Sequence, residues 1–366
     1  MSENAAIGVV LAGGGTGGHI QPNLAIASAL ERLRPGACRF VFVVSDRPID
    51  RRVIEGASIA GEPVRAIISP AKPLAANPLR AARFALRWGG GVRAGRDAAR
   101  ALRRECGRVV MVATGGFVSA PAVMGARAER VGRIVINLDA VPGKANRLAS
   151  RFATETLSVG DGLRPIVGAA WSDPPTPQDA RRSFALDPST RTLLVTGGSQ
   201  GARSVNRFVL AAFRDLAGRS SWQVVHQTGD GEHEACAAAW SDLGVSAFVA
   251  PYIDGMERAF AAADAVVCRG GAGTIADLWA SRRPAVVLPY PYHRDRHQAR
   301  NAEPLRSAGG VIIADDLVDP ARNARAHAES LGLLLDDARR AAMASAMASL
   351  GPADGARQVA DRVLRG

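Results

Sequence analysis

Short apolar runs alternate along the chain with longer stretches that have helical spacing. Strand-length runs separated by helices are typical of α/β domains built on a doubly wound parallel sheet. Four of these runs end directly in glycine-rich turns, and two lie in each half of the chain. The runs are residues 7–12 before 13–19, 109–113 before 114–119, 193–196 before 197–203, and 265–268 before 269–274.

A proline-rich segment separates the two halves. Residues 167–177 contain three prolines, which neither a helix interior nor a central strand accommodates. A length of 366 residues also fits two domains of roughly 100–200 residues each. We therefore predict an N-terminal domain over residues 1–166, a linker over 167–177 and a C-terminal domain over 178–345. Residues 346–366 should form a helix that packs back on the N-terminal domain or stays with the C-terminal one.

Composition excludes several classes of protein. Hydrophobic residues make up 47% of the chain and charged residues 22%, which is a globular and not a disordered profile. No apolar run reaches the ~20 residues of a spanning helix, and no basic segment precedes the first run, so we expect neither a transmembrane nor a secreted protein. The four cysteines are scattered without C-x-x-C spacing, which indicates reduced thiols and no zinc site.

The positive charge is concentrated in one segment. The chain carries a net charge of +12, and residues 65–104 contain ten basic residues against one acid, Asp97, which leaves +9 there. Such a concentration predicts an anionic partner, either nucleic acid or a phospholipid surface. No nucleic-acid-binding motif accompanies the charge, so we expect no nucleic acid partner.

The glycine loops themselves suggest phosphate chemistry. A strand that turns through glycines into a helix presents unpaired N–H groups at the positive end of the helix dipole. Tight turning alone would also explain any single loop. Four loops at strand ends favour two ligands of diphosphate size in a cleft between the domains. Gly13, Gly15 and Gly18 also satisfy G-x-G-x-x-G with Asp46 downstream, so an NAD(P)-dependent oxidoreductase remains an alternative.

The order and spacing of these segments resemble the MurG family, the peripheral membrane glycosyltransferases of peptidoglycan synthesis. The resemblance runs from about Ile7 to Ile313 and rests on residues 14–19, 114–119, 197–203 and 295–301, with support from 141–147 and 252–256. It implies a GT-B fold, in which two Rossmann-like domains face each other across a cleft. It also implies transfer of GlcNAc from UDP-GlcNAc to the undecaprenyl-diphosphate-linked muramyl-peptide (lipid I), giving lipid II at the cytoplasmic face of the membrane. Transfer of another UDP-sugar, or a silent nucleotide-sugar-binding paralogue, are the alternatives.

The resemblance assigns site residues position by position. His19 is the candidate base, and the alternative is a histidine that caps the following helix. Asp139 is a rival base or a sugar contact. Gly14, Gly15, Gly115 and Gly116 would bind the acceptor diphosphate. The expected UDP-GlcNAc contacts are Thr16, Gly17, Gly18, Asp139, Ser199, Ile253, Ala272, Gly273, Thr274, Asp277, His297 and Gln298.

Four positions depart from the family pattern. Asp139 stands where the family has an amide, and Ser172 where it has an arginine. Asp277 replaces the ribose-binding glutamate, and His297 the first of two glutamines. These changes bear on donor specificity and not on the fold.

We expect no metal and no other cofactor. The chain contains no Asp-x-Asp pair, which is the usual carboxylate arrangement for a metal-bridged nucleotide-sugar. Helix dipoles and arginines such as Arg269 and Arg203 would take the place of a metal, unless these arginines belong to structural ion pairs.

A basic helix should provide the membrane contact. The sequence predicts a helix that opens at Pro78, with Arg80, Arg83 and Arg87 recurring on one side. Phe84 and Trp88 are expected to enter the headgroup layer of an anionic membrane surface. The alternative is a solvated helix that covers the core.

Overall fold

The computed structural model describes residues 6–15, 18–73, 78–216 and 218–366, and the side chains of residues 78–83 lie outside the described part. The chain divides into two compact units. Unit 1 contains Met1–Ala169 together with Asp354–Gly366, and unit 2 contains Ala170–Ala353.

Unit 1 is built on a six-stranded parallel sheet with the order β5-β2-β1-β6-β7-β8, and β3 pairs with β4 separately. Its strands are β1 (Ile7–Gly13), β2 (Cys38–Ser45), β3 (Ser58–Ile59), β4 (Glu62–Pro63), β5 (Ala66–Ser69), β6 (Arg108–Gly115), β7 (Gly132–Asn137) and β8 (Glu155–Ser158). Its helices include α1 (Ile20–Leu33), α2 (Pro48–Glu55), α3 (Pro78–Glu105), α4 (Ser119–Ala128) and α5 (Lys144–Ser150).

Unit 2 repeats this design with the order β11-β10-β9-β12-β13-β14, again parallel throughout. Its strands are β9 (Arg191–Thr196), β10 (Trp222–Gln227), β11 (Ala247–Ala250), β12 (Ala265–Cys268), β13 (Ala285–Val287) and β14 (Val311–Ile313). The helices are α6 (Pro177–Ser183), α7 (Arg203–Arg214), α8 (His233–Asp242), α9 (Met256–Ala262), α10 (Ala272–Ser281), α11 (His297–Ser307), α12 (Pro320–Ala326), α13 (Ala328–Leu335) and α14 (Asp337–Ala348), with 3-10 turns at Ala169–Ser172 and Arg219–Ser221.

The apolar runs become central strands because both faces of each sheet are covered. Every residue of β1 is buried, and so is every residue of β12. Strands covered on both faces require continuous apolar runs and not alternating ones. Each sheet therefore separates two hydrophobic clusters, one on each face. The doubly wound α/β prediction is confirmed.

The unit boundaries differ from the sequence-based ones by a few residues. Pro177 does enter a helix, but at the first position of α6, where its missing N–H leaves no hydrogen bond unmade. The final segment divides at Asp354. Helix α14 stays in unit 2, whereas α15 (Gly355–Arg365) packs on α1 in unit 1. The hydrogen bonds that hold α15 there include those from Gly355 N–H to the Pro165 carbonyl and from Arg164 N–H to Gln358.

Among the described residues, no helix combines the length and the apolar character needed to span a bilayer.

Candidate functional site

All four glycine loops lie at the points where strand order reverses. With the strands of each main sheet numbered along the chain, both sheets have the order 3-2-1-4-5-6, which places β1 beside β6 and β9 beside β12. Ligands of open α/β sheets bind outside the carboxyl ends of the strands at such switch points. The loops after β1 and β6 meet in unit 1, and those after β9 and β12 meet in unit 2. Each unit thus has one candidate binding surface.

The first loop is hydrogen-bonded to Asp50 on α2. The fully buried carboxylate of Asp50 accepts hydrogen bonds from Gly15 N–H (2.6 Å) and from the Ser45 hydroxyl. Arg47 donates to the Gly15 carbonyl, and its guanidinium lies 5.1 Å from the centre of the Phe117 ring. Arg47, just before α2, and Asp50, on α2, therefore engage both polar atoms of the Gly15 backbone.

His19 lies between the first and second loops. Its Nδ1 is 3.1 Å from the Thr114 carbonyl oxygen, and the Thr114 hydroxyl donates to the His19 carbonyl. Methyl groups added at Gly115 or Gly116 would come within 2.9 Å or 3.1 Å of the imidazole, and both glycines have positive φ angles of 122° and 78°. These glycines are required because the second loop passes directly against the ring. The side chain of His19 makes no cap hydrogen bond to α1, which excludes the helix-capping alternative.

Burial lowers the pKa of His19 below that of a free imidazole. The negative charges of Asp139 and Asp50 and the hydrogen bond to Thr114 act in the opposite direction, but with smaller effect. Because this shift favours the neutral imidazole, His19 can accept a proton near pH 7. The two candidate bases, His19 and Asp139, are close enough to interact electrostatically.

Two of the amides expected to bind the acceptor diphosphate are already engaged. Gly15 N–H donates to Asp50, and Gly115 N–H donates to the Ser119 hydroxyl at 3.1 Å. These two N–H groups are therefore engaged within unit 1, and the roles of Gly15 and Gly115 toward the acceptor stay predictions. The roles of Gly14 and Gly116 toward the acceptor also stay predictions. Thr16 and Gly17 lie outside the described residues, and Gly18 is exposed.

The third loop, after β9, leaves its amides open. Ser199 is exposed, and the N–H groups of Ser199, Gln200 and Ala202 have no hydrogen-bond partner among the described residues. Together with the first turn of α7, they form a set of donors suited to phosphate oxygens. Gly201 has a φ of 70°, and a methyl group there would overlap the Thr228 carbonyl. Because only glycine fits this close approach, Gly201 allows the conformation of the third loop in which the N–H groups of Ser199, Gln200 and Ala202 are exposed.

Gln227 braces the third loop from β10. Its amide nitrogen donates to the Gly198 carbonyl at 2.9 Å, and its oxygen accepts from Ile253 N–H at 2.9 Å. The backbone donor of Ile253 is thus not available to a uracil carbonyl, and the side chain is buried. A contact of Ile253 with the donor stays a prediction, and with its N–H engaged it would involve the Ile253 carbonyl.

The fourth loop meets the start of α11. Asn301 donates to the Gly270 carbonyl at 3.0 Å, and a methyl group at Gly270 would overlap the Gln298 backbone. Ala272, Gly273 and Thr274 form the first turn of α10 beside it. The structure thus brings Gln298 to the same surface as the first turn of α10. Gln298 accepts from Tyr290 N–H at 2.8 Å, and Nδ1 of His297 lies 2.9 Å from the Asp295 carboxylate.

Asp277 is not the solvated surface acid that its polarity alone would allow. It is half-buried on α10, and burial raises the pKa of its carboxyl group to about 7. The indole N–H of Trp171 donates to Oδ1 of Asp277 at 2.7 Å. Sequence analysis did not identify this partner.

The two arginines that were expected to replace a metal have structural partners. Arg269 is buried and pairs with Asp316 at 2.7 Å, and it also donates to the Ser204 hydroxyl and the Leu288 carbonyl. Arg203 is largely exposed and lies 3.1 Å from Glu232. The ion-pair alternative therefore applies to both. Among the described residues, no group of three His, Cys, Asp or Glu side chains is arranged to hold a metal ion.

The basic segment is partly neutralised within unit 1. Among the described residues of the segment, four cations pair with acids outside it: Arg65 with Glu105, Lys72 with Asp46, and both Arg96 and Arg100 with Glu129. The three partner acids reduce the charge of +9 in this region to +6.

Helix α3 does begin at Pro78, and Arg87 is exposed on it. Trp88 packs half-buried against the core, with its ring 5.4 Å from that of Phe84. Entry of Phe84 and Trp88 into the headgroup layer stays a prediction. Among the described side chains of α3, Leu86 is an exposed large apolar one, at 79%. The side chains of Arg80 and Arg83 lie outside the described residues.

Asp50, Gln227 and Trp171 are the contributors that sequence analysis did not identify. Each acts on a loop or carboxylate far away in sequence: Asp50 on Gly15, Gln227 on Gly198 and Trp171 on Asp277. A polar side chain at the carboxyl end of a strand is the signal that could have identified Gln227, the last residue of β10. No such signal marks Asp50, which lies within α2. No local pattern marks Trp171.

Comparisons with known proteins agree over nearly the whole chain. Residues 9–158 match the glycosyltransferase family 28 N-terminal domain, and residues 192–359 match the family 28 C-terminal domain. A UDP-N-acetylglucosamine--N-acetylmuramyl-(pentapeptide) pyrophosphoryl-undecaprenol N-acetylglucosamine transferase of Mycobacterium leprae is 35% identical, over all of this chain and 90% of its own. The protein of the same name from Saccharopolyspora erythraea is 36% identical, over 97% and 93% of the two chains.

A solved structure agrees with the fold. The crystal structure of Acinetobacter baumannii MurG aligns with a TM-score of 0.71 at 22% identity, over 99% of this chain and all of that one. The two doubly wound units are therefore those of a GT-B fold.

Proposed function

Because the chain belongs to glycosyltransferase family 28, we propose that it transfers GlcNAc from UDP-GlcNAc to the undecaprenyl-diphosphate-linked muramyl-peptide and so forms lipid II. The observation that carries this proposal is the contrast between the two switch points. Unit 2 offers a loop with open amides that suits a diphosphate, and unit 1 offers a half-buried neutral histidine that suits proton transfer.

The donor would bind to unit 2. The open amides of the third loop, with Ser199, would hold the UDP diphosphate at the positive end of the α7 dipole. The ribose hydroxyls would donate to Asp277, and the Ile253 carbonyl would accept from uracil. Ala272, Gly273 and Thr274 would line the sugar side, with Gln298 and His297 hydrogen-bonding the GlcNAc hydroxyls.

The reaction would be a direct displacement with inversion at the anomeric carbon. An acceptor hydroxyl oxygen attacks that carbon while its proton passes to His19, and the bond from the carbon to the UDP oxygen breaks. The negative charge that develops on the UDP diphosphate is stabilised by the third-loop amides and the helix dipole. Asp139 would assist by its charge on His19 or would take the proton itself.

A transfer assay tests the reaction. Radiolabelled sugar from a panel of UDP-sugars is offered to a lipid I analogue, with EDTA in one arm and Mn²⁺ in another. We expect transfer of GlcNAc in both arms. Preference for a different UDP-sugar would instead follow from the changed donor positions Asp139, Ser172, Asp277 and His297, and a requirement for Mn²⁺ would contradict the mechanism.

The acceptor would be reached at the cytoplasmic face of the membrane, with α3 against anionic lipid. Basic residues near such a surface contribute about 1 kcal/mol each, so Arg80, Arg83 and Arg87 would contribute about 3 kcal/mol together. Changing all three to glutamate removes this attraction and adds repulsion, so binding to anionic vesicles should weaken by at least about a hundredfold. The matched control reverses three exposed or paired cations of unit 2, Arg191, Arg207 and Arg306, and should bind vesicles like the wild type. Equal binding by the two triple variants would contradict the role of α3.

A further inference from the structure

Trp171 contacts Asp277 from a different element of unit 2 than α10, the helix that contains Asp277. It lies in the 3-10 turn Ala169–Ser172, before α6, whereas Asp277 is on α10, more than a hundred residues later. The indole packs on the hydrophobic cluster of unit 2, with its ring 6.4 Å from that of Phe260. This packing fixes the direction of its N–H, which donates to Oδ1 of Asp277 at 2.7 Å.

The surroundings of Asp277 leave this bond as its main stabilising contact. Burial raises the pKa of Asp277 to about 7, and the charge of Glu257 on α9 adds to the rise. The hydrogen bond from Trp171 acts in the opposite direction because it favours the ionised carboxylate. Helices α9 and α11 pack against α10, and no cation of either forms an ion pair with Asp277 among the described residues.

We propose that Trp171 is a positioning residue of the donor site, which holds Asp277 by one carboxyl oxygen and leaves only the other for the donor's ribose. This inference rests on the proposed function, because it assumes that Asp277 meets the ribose. An indole N–H only donates, so Oδ1 is confined to accepting. A proton on Asp277 must then sit on Oδ2, the oxygen to which a ribose hydroxyl would donate. The donor therefore binds the protein in which Asp277 is ionised. The affinity for UDP-GlcNAc should rise as the pH increases through neutrality.

The test measures binding of UDP-GlcNAc by calorimetry from about pH 6 to about pH 9, a range chosen to bracket the Asp277 titration. Trp171→Phe keeps an aromatic ring against Phe260 and removes only the N–H. Loss of the bond disfavours the carboxylate, so the midpoint of the affinity profile should move up by about one pH unit. Near pH 6.5 the affinity should fall about tenfold relative to the wild type, and it should recover toward the wild-type value near pH 9.

Trp279→Phe is the matched control. Trp279 is on α10 as well, and its indole N–H donates to the Gly351 carbonyl at 3.0 Å and not to Asp277. This variant also loses one indole hydrogen bond in unit 2, so it should lower the melting temperature without moving the pH profile. Asp277→Asn should remove the part of the pH dependence that comes from Asp277, because its carboxyl group is no longer there to titrate.

The outcomes separate the inference from the function on which it rests. A Trp171→Phe profile that coincides with those of the wild type and Trp279→Phe would overturn the role of Trp171 while leaving donor binding intact. A wild-type protein that binds no UDP-GlcNAc at any pH would overturn the proposed function itself. A uniform loss of affinity at all pH values in Trp171→Phe would indicate a packing role only, and would also contradict the inference.

Discussion

The switch points of the two units have the same strand order but opposite electrostatic arrangements. In unit 1, the buried carboxylate of Asp50 occupies the Gly15 amide, and a histidine lies where the two loops meet. In unit 2, the loop amides around Ser199 are open, and a glutamine braces them from behind. A negative group already bound to a loop competes with a phosphate for the same amides.

This difference assigns separate tasks to two loops that look alike in sequence. Both are glycine-rich and both follow a buried strand. The third loop suits an anion, whereas the first suits the orientation of His19 and the control of its proton affinity. Gly115 and Gly116 of unit 1 are needed because the second loop packs against the imidazole of His19. Gly201 of unit 2 is needed because the third loop packs against the Thr228 carbonyl.

The largest expected effect comes from removing the histidine of unit 1. His19→Ala should lower kcat by about 10² or more, in line with the contribution of a general base. The affinity for UDP-GlcNAc should stay unchanged, because the open amides are in unit 2. His327→Ala removes a histidine that likewise bonds a backbone carbonyl, and should remain active. An active His19→Ala together with an inactive Asp139→Asn would transfer the base assignment to Asp139.

The matching experiment on unit 2 changes the conformation of the third loop, which carries the open amides. Gly201→Ala places a methyl group against the Thr228 carbonyl and should shift the third loop, weakening UDP-GlcNAc binding by about tenfold through the loss of roughly one charge-assisted hydrogen bond. Gly244→Ala is the control, since its φ of 66° imposes the same backbone strain but a methyl group there meets nothing within 4 Å. Equal donor affinity in the two variants, measured by calorimetry, would contradict a diphosphate site at this loop.

The smallest effect should come from neutralising Asp50, whose carboxylate accepts a hydrogen bond from Gly15 N–H in the first loop. The charge of Asp50 raises the pKa of His19, so Asp50→Asn should lower that pKa further, and the acid limb of the kcat/KM profile should move to lower pH by up to about one unit. Asp46→Asn removes a nearby carboxylate that pairs with Lys72, and should leave the profile in place. Loss of activity in Asp50→Asn with an unshifted acid limb would show that Asp50 only supports the loop.

The sequence alone predicted the doubly wound fold, the four loops at strand ends and their pairing in two halves. These features depend on local signals: continuous apolar runs that need two covered faces, and glycines that follow them directly. His19 was also identifiable, because it follows the glycines of the first loop without interruption. The resemblance of four spaced segments then predicted the family.

Only the tertiary structure decided which loop amides are open, which arginines are structural and what Asp277 touches. Asp50 reaches Gly15 across 35 residues, Arg269 pairs with Asp316, and Trp171 meets Asp277 across 106 residues. Each of these partners comes from a different element of the same unit, and its sequence carries no mark of the contact. The charge and the hydrogen bonding of a site depend on which distant side chains the sheet brings to one edge, and sequence spacing does not encode that arrangement.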